Sequence, residues 1–154
     1  MRRRRHVVIV GGGFSGAALA AQLLRGGDGA VRATLLECGD RFGRGLAYAT
    51  PNPLHLLNTR AERMSLFPDD AAHFVRWNYA RGRDVSPSDF IARSVYGDYV
   101  ENTLHTLAAG VGAATFAAQS NTEVTDIAPL SRGFAVAVNG SAVESFFPSP
   151  EPGR

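Results

Sequence analysis

The chain has 154 residues, 45% of them hydrophobic and 19% charged, which fits one globular domain able to bury roughly 70% of its unfolded surface and excludes a disordered segment. The formal net charge of +2 comes largely from Arg2 to Arg5, so no basic stripe remains to follow a nucleic-acid backbone, and no run approaches the roughly 20 apolar residues of a membrane span. The single cysteine, Cys38, rules out an intramolecular disulfide and fits a reducing, cytoplasmic setting, while the absence of lysine rules out lysine Schiff-base chemistry.

Residues 1–5 read as a solvated basic tail. Arginines before an alanine-rich apolar run also resemble a secretory or twin-arginine signal, but a signal has no need of the glycines that follow at fixed spacing. Val7-Val8-Ile9-Val10 predicts a strand, and Gly11-Gly12-Gly13-Phe14-Ser15-Gly16 then leads into the helical run Ala17 to Leu24. This is G-x-G-x-x-G between a strand and a helix. Gly11 permits a sharp turn, Gly13 lets backbone approach a pyrophosphate, and Gly16 removes a side chain where helix meets strand. The first-turn N–H groups of the helix have no partner within it and point, with the positive end of the dipole, at a bound anion.

Gly26-Gly27 predicts a glycine stop for that helix. Ala33-Thr34-Leu35-Leu36 predicts a second strand ending on Glu37, 21 residues beyond Gly16, where a carboxylate accepts hydrogen bonds from a ribose diol. Cys38, next to it, is expected to be a small buried hydrophobe and not a reactive thiol. His6, His55, His73 and His105 show no ligand spacing with one another or with Cys38, so no metal site is expected.

Residues 38–65 have no clean period, yet they carry Phe42, Leu46, Tyr48, Leu54, Leu56, Leu57 and Met64, which predicts an ordered loop folded over something. Asp69 or Asp70 is expected to cap a helix from about Ala71 to Ala80, with Phe74, Trp77 and Asn78 on one side and Gly82 beyond its end. Ser88 or Ser94 is expected to start the next helix, on which Tyr96, Val100, Leu104 and Leu107 recur at three- and four-residue spacing as far as Gly110. These aromatic residues read as packing groups. Gly110-Val111-Gly112 closes a helix and lacks a third glycine, so it is not a second dinucleotide turn. Short β-like runs follow at 114–118, 123–127 and 134–138, and Asn139-Gly140 predicts a hairpin returning through 142–146. Residues 147–154 form a breaker-rich tail.

Over roughly residues 6–143 the chain resembles the amino-terminal part of the FAD-NAD(P)-binding family of flavoproteins, relatives of the FAD-dependent monooxygenases. The glycine turn and Glu37 match. So do Gly45-Leu46-Ala47-Tyr48, His55-Leu56-Leu57-Asn58, Met64-Ser65 and the R-x-x-Y-G-x-Y pattern at Arg93 to Tyr99. The resemblance implies an α/β fold: a Rossmann-like βαβ unit with additional helices and a small antiparallel hairpin region, in a partial domain spanning residues 6–146. It implies FAD as cofactor, with its pyrophosphate on Gly11, Gly12, Gly13, Phe14, Ser15 and Gly16 and its ribose on Glu37. The loop from Arg41 to Ser65 is implied to pass the pyrophosphate and the isoalloxazine ring, with Arg44, Asn58 and Arg60 as polar contacts and surface charge or loop-internal hydrogen bonding as the competing reading. Val124 is the implied main-chain contact of the adenine, and NAD(P)H the co-substrate of the complete protein.

Family members continue through a strand ending in an alanine-threonine-glycine turn to a nicotinamide and substrate region. Here Ala142 to Ser145 runs into Phe146-Phe147-Pro148, and no second glycine hexad exists. The expectation is therefore a truncated or frame-disrupted piece of a flavin-dependent oxidoreductase, inactive alone. The alternatives are a non-catalytic dinucleotide-binding module and a single-domain NAD-dependent dehydrogenase.

Overall fold

In the computed structural model, residues 5–27, 31–112, 115–139 and 141–145 are described. Strand β1 (Arg5–Val10) leads through the glycine turn into helix α1 (Phe14–Gly26), and β2 (Val31–Leu36) returns parallel to β1. The long segment after β2 holds a one-turn helix, α2 (Gly45–Tyr48), and a 3-10 turn at Ala61–Arg63. Helices α3 (His73–Tyr79) and α4 (Arg93–Ala109) follow, and β3 (Phe116–Gln119) pairs parallel with β2, giving the order β1-β2-β3. The antiparallel region is a full sheet of three strands, β4 (Val124–Pro129), β5 (Phe134–Val138) and β6 (Ser141–Ser145), in the order β4-β5-β6.

Small residues set how closely α1 packs. Ala17, Ala20 and Ala21 are buried on one helical stripe, so α1 approaches both the β1-β2 layer, through Ile9 and Leu35, and α4. The other half of the core is aromatic. Phe74 and Trp77 of α3 meet Tyr96 and Tyr99 of α4 edge-on or tilted, with Phe74 and Tyr99 centroids 4.8 Å apart and Trp77 and Tyr99 5.4 Å apart. The Tyr99 hydroxyl is not stranded, since it accepts the Leu66 N–H at 3.1 Å and lies 2.8 Å from His73 Nδ1.

The expected caps are corrected. Helix α3 begins after Ala72 and α4 after Ala92, with no side-chain cap at either. Asp69 instead forms a two-pronged pair with Arg25 at 2.5 and 2.7 Å, and Asp70 pairs with Arg76 at 2.6 Å. In each case a fork-shaped guanidinium competes for the carboxylate that a helix end would otherwise use. Gly27 does end α1, but in extended backbone; its glycine identity answers to space, because a Cβ there would lie 2.7 Å from the Leu23 carbonyl. The hairpin forms at the expected turn, with Val138 opposite Ser141 and Asn139 at φ 49°, and its register shifts by a bulge between Val136 and Val138; Gly140 and Phe146 lie outside the described residues, as do residues 1–4 and 147–154. Arg5, expected in the tail, is the first residue of β1.

Candidate functional site

The turn from β1 into α1 is shaped by Gly11 and Gly13 in the loop and by Gly16 in the first turn of the helix. Gly11 has φ +90°, a conformation that L side chains avoid, and its N–H donates to the Leu36 carbonyl at 2.8 Å, tying the turn to the end of β2. Gly16 admits no side chain: a Cβ there would lie 1.9 Å from the Gly11 carbonyl oxygen. Gly13 sits at the N-cap of α1 with no side-chain cap, so the N–H groups of Phe14, Ser15 and Gly16 meet no competing cap residue. A Cβ on Gly13 would face Gly45 Cα at 3.4 Å across an open cleft.

That cleft, of about 370 Å³, is lined by Val10, Gly11, Gly13, Phe14, Ser15 and Gly16 on one side and by Arg44, Gly45, Leu46 and Ala47 on the other. None of these ten residues is acidic, and the helix dipole directs its positive end there. Backbone N–H groups at a helix start and an acid-free lining are chemistry that suits an anion.

The opposite wall is the segment that showed no periodicity in sequence. Gly43 N–H donates to the Gly12 carbonyl at 2.7 Å, and Gly43 and Gly45 take φ values of +82° and +51°. Phe42 is buried beneath, near enough that a Cβ on Gly12 would lie 2.7 Å from its ring. Gly45, Leu46 and Ala47 belong to the loop that the family resemblance runs past the pyrophosphate, and here they face the glycine turn across the cleft. The signal that carries it is Gly43-Arg44-Gly45, two glycines flanking an arginine that must turn inward.

Arg44 is where expectation and structure part. Its side chain is buried and turned toward α4: it hydrogen-bonds Asp98, and its Nη2 lies 3.1 Å from Glu101 Oε2, which also accepts from Arg41 at 2.6 Å. Burial alone would raise the Glu101 pKa, but hydrogen bonds from Arg41 and Arg44 outweigh it and hold the carboxyl below its usual range. Arg44 thus lines the cleft while its guanidinium braces the wall against α4. Phe14 likewise contributes backbone to the turn, while its ring packs on Tyr48 and Tyr96 at 5.6 and 5.9 Å.

Glu37 lies just past β2 beside the turn. Its Oε2 accepts the Gly12 N–H at 2.6 Å and its Oε1 the Gly39 N–H at 2.7 Å. Oε1 also accepts from the Cys38 thiol at 3.3 Å, so Oε2 is the oxygen that retains a second lone pair for a hydroxyl. Cys38 is exposed, contrary to expectation, because β2 ends at Leu36 and the thiol points out beside the carboxylate; the hydrogen bond to Glu37 and its charge raise the thiol pKa, so it is not an activated nucleophile. Asn58 and Arg60 line a different cleft of about 340 Å³ with Thr59, Glu62, Arg63 and Phe90. Val124 opens β4, an edge strand of the second sheet. Among the described residues, no cluster of three His, Cys, Asp or Glu side chains is placed to hold a metal ion, and no helix is long and apolar enough to cross a membrane.

A family model described as FAD-NAD(P)-binding matches residues 8–146. None of the curated proteins matches the chain. Among solved structures, it is similar to the bacillithiol disulfide reductase Bdr from Staphylococcus aureus (TM-score 0.60, 13% identity, covering 92% of this chain and 35% of that one). It is also similar to a variant of the flavin monooxygenase from Stenotrophomonas maltophilia (0.59, 19%, 93% and 36%) and to OTEMO crystallised with FAD and NADP (0.59, 18%, 91% and 23%). The chain therefore spans between about a quarter and a third of the length of these solved proteins.

Proposed function

Because the chain belongs to the FAD-NAD(P)-binding family, we propose that it is the FAD-binding portion of a flavin-dependent, NAD(P)H-linked oxidoreductase of the monooxygenase type. The observation that carries this reading is the acid-free cleft between Gly11–Gly16 and Gly45–Ala47, whose floor is backbone N–H and whose glycines leave room that a Cβ would take. A pyrophosphate fits that seat. The first-turn N–H groups of α1 would hold it, Glu37 would accept from the adjoining ribose, and the main chain at Val124 would meet the adenine. Arg44 acts by keeping the facing wall in place, and Asn58 and Arg60, in their separate cleft, are assigned to more distant polar contacts.

FAD when bound supplies a ring that accepts a hydride from reduced nicotinamide. This chain covers only 23% to 36% of the neighbours that share its fold, so this span is assigned nucleotide binding and the complete protein turnover. The test is to purify the chain, add FAD or ADP, and follow binding by calorimetry and the visible spectrum, then NADH and NADPH consumption. FAD and ADP binding without nicotinamide turnover is expected. Binding of NAD but not FAD would favour the single-domain dehydrogenase, and turnover at about 1 per second, ordinary for an enzyme, would show a complete active site within these residues.

A further inference from the structure

The cleft of about 340 Å³ lined by Asn58, Thr59, Arg60, Glu62, Arg63 and Phe90 shares no lining residue with the nucleotide cleft. Its volume is within the ~300–1,000 Å³ of small-ligand sites. Two segments distant in sequence form it, and main-chain hydrogen bonds tie them together. Leu57 N–H donates to the Ile91 carbonyl at 2.8 Å, Ala61 N–H to the Asp89 carbonyl at 2.9 Å, and Glu62 N–H to the Pro87 carbonyl at 3.0 Å. The backbone of the cleft is therefore fixed, while Arg60, Glu62, Arg63 and Phe90 are exposed.

The three charged residues of the cleft come from one turn. Arg63 N–H donates to the Arg60 carbonyl at 3.0 Å and closes the 3-10 turn, and side chains three residues apart on such a turn eclipse, so the two guanidiniums leave it on one side. Glu62, one residue short of the full turn, leaves about a third of a turn away. Both signs of charge thus line one cleft. Yet among the described residues no ion pair within 4.0 Å and no side-chain hydrogen bond joins Arg60, Glu62 or Arg63 to any partner. Asp89, on the facing segment, is committed elsewhere, its Oδ2 accepting the Ser86 N–H at 2.8 Å. Two guanidiniums side by side repel, and a carboxylate placed between them relieves that repulsion in the planar geometry that arginine matches. Phe90, 49% exposed, adds an apolar ring to the same lining.

We propose that this cleft binds a zwitterionic α-amino acid with an apolar side chain, its carboxylate on Arg60 and Arg63, its ammonium on Glu62 and its side chain on Phe90. A simple anion would meet the Glu62 carboxylate, and a simple cation would meet two guanidiniums. A ligand carrying both charges on one carbon satisfies each. The proposal stands apart from the flavin reading, since Glu62, Arg63 and Phe90 have no nucleotide role.

The full chain, without FAD, is titrated calorimetrically at low ionic strength and neutral pH with L-phenylalanine, with 3-phenylpropionate, which lacks the ammonium, and with phenethylamine, which lacks the carboxylate. Exposed ion pairs are weak, so L-phenylalanine should half-saturate on the order of 1 mM, with each analogue about threefold to tenfold weaker. Glu62→Gln should erase the preference for L-phenylalanine over 3-phenylpropionate, and Arg63→Gln the preference over phenethylamine. Both variants should bind ADP as the parent does, and that ADP titration reports the nucleotide cleft separately. No saturable heat with L-phenylalanine, equal affinity for the three ligands, or variants that change all three by the same factor would overturn the proposal.

Discussion

One methyl group added at two glycines three residues apart should have opposite consequences, and the difference tests the nucleotide cleft. At Gly13 the backbone is extended (φ −63°, ψ −167°), so alanine meets no conformational barrier, and its Cβ would find only Gly45 Cα at 3.4 Å. Loss of backbone freedom in the unfolded chain favours alanine by about 0.4–1 kcal/mol, and a poorer N-cap offsets a similar amount. Gly13→Ala should therefore leave the melting temperature within about 2 °C of the parent. It places a methyl inside the cleft, however, and a hydrogen bond to a charged group is worth about 1.5–3 kcal/mol, so ADP and FAD should bind about tenfold to a hundredfold more weakly. At Gly16 the added Cβ would sit 1.9 Å from the Gly11 carbonyl oxygen and 3.2 Å from Ile9 Cγ2, and real contacts do not fall under 3.0 Å, so the backbone of the turn must shift. Overpacking of this kind costs about 1–3 kcal/mol or more, against about 1 kcal/mol of helix propensity gained. At ~2–4 °C per kcal/mol for a chain of this size, Gly16→Ala should melt several degrees lower. Thermal unfolding and calorimetric titration with ADP decide the matter. Undiminished ADP binding by Gly13→Ala would refute the cleft as the pyrophosphate seat, and an unchanged melting temperature for Gly16→Ala would refute the packing claim.

Glu37→Ala should weaken ADP and FAD about tenfold to a hundredfold, and the parent should prefer NAD to NADP, because a carboxylate repels a 2′-phosphate; a titration preferring NADP would remove Glu37 from the ribose site. Gly97→Ala should loosen the wall opposite the glycine turn, since its Cβ would lie 2.8 Å from the Tyr48 carbonyl and 3.2 Å from Arg44 Nη1; a melting temperature lowered by a few degrees together with weaker ADP binding is expected, and loss of neither would detach α4 from the cleft. The folded pKa of Glu101 is depressed below its unfolded value, so its contribution is fully present above about pH 4.5 and is lost as pH falls through the folded value. Arg44→Met, which removes one of the two arginines on Glu101, should accordingly flatten the fall in stability below that pH, read as melting temperature against pH; an identical acid limb would show the pairing to be energetically silent.

The strands, the first helix and the α4 stripe were legible because each rests on local chemistry: β-branched runs, an i, i+3, i+4 alanine face, and Tyr96, Val100 and Leu104 at helical spacing. The hairpin at Asn139-Gly140 was legible because few residues tolerate positive φ. What was hidden depends on partners distant in sequence. Asp69 and Asp70 read as caps, but Arg25 lies 44 residues from the first in sequence and claims it, and Arg76 claims the second. Arg44 read equally as a ligand contact or as a surface or loop-internal group, because Asp98 and Glu101 stand one helical turn apart on α4, and that spacing in the sequence says nothing of the loop that docks on it. Cys38 read as buried because strand ends usually are, whereas β2 stops two residues earlier.

Distance in sequence also explains why the unpatterned segment matters. The Arg93 guanidinium donates to the Leu56 carbonyl at 3.0 Å, the Leu57 N–H donates to the Ile91 carbonyl at 2.8 Å, and Tyr96 packs on Tyr48 at 4.8 Å. The His-Leu-Leu-Asn and Arg-x-x-Tyr-Gly-x-Tyr segments are therefore the two halves of one latch, and the Gly45 wall, which precedes both in sequence, is held to α4 through Arg44 and Tyr48. A loop of this length could not hold an anion seat by its own backbone preferences, because each unfixed residue costs about 1–2 kcal/mol of conformational entropy to order. Its order is supplied by α4. Because α4 also packs along α1, whose first turn forms the other wall, both sides of the cleft are referenced to one helix, and the spacing between Gly13 and Gly45 is set by tertiary packing even though the chemistry of the seat is pure backbone.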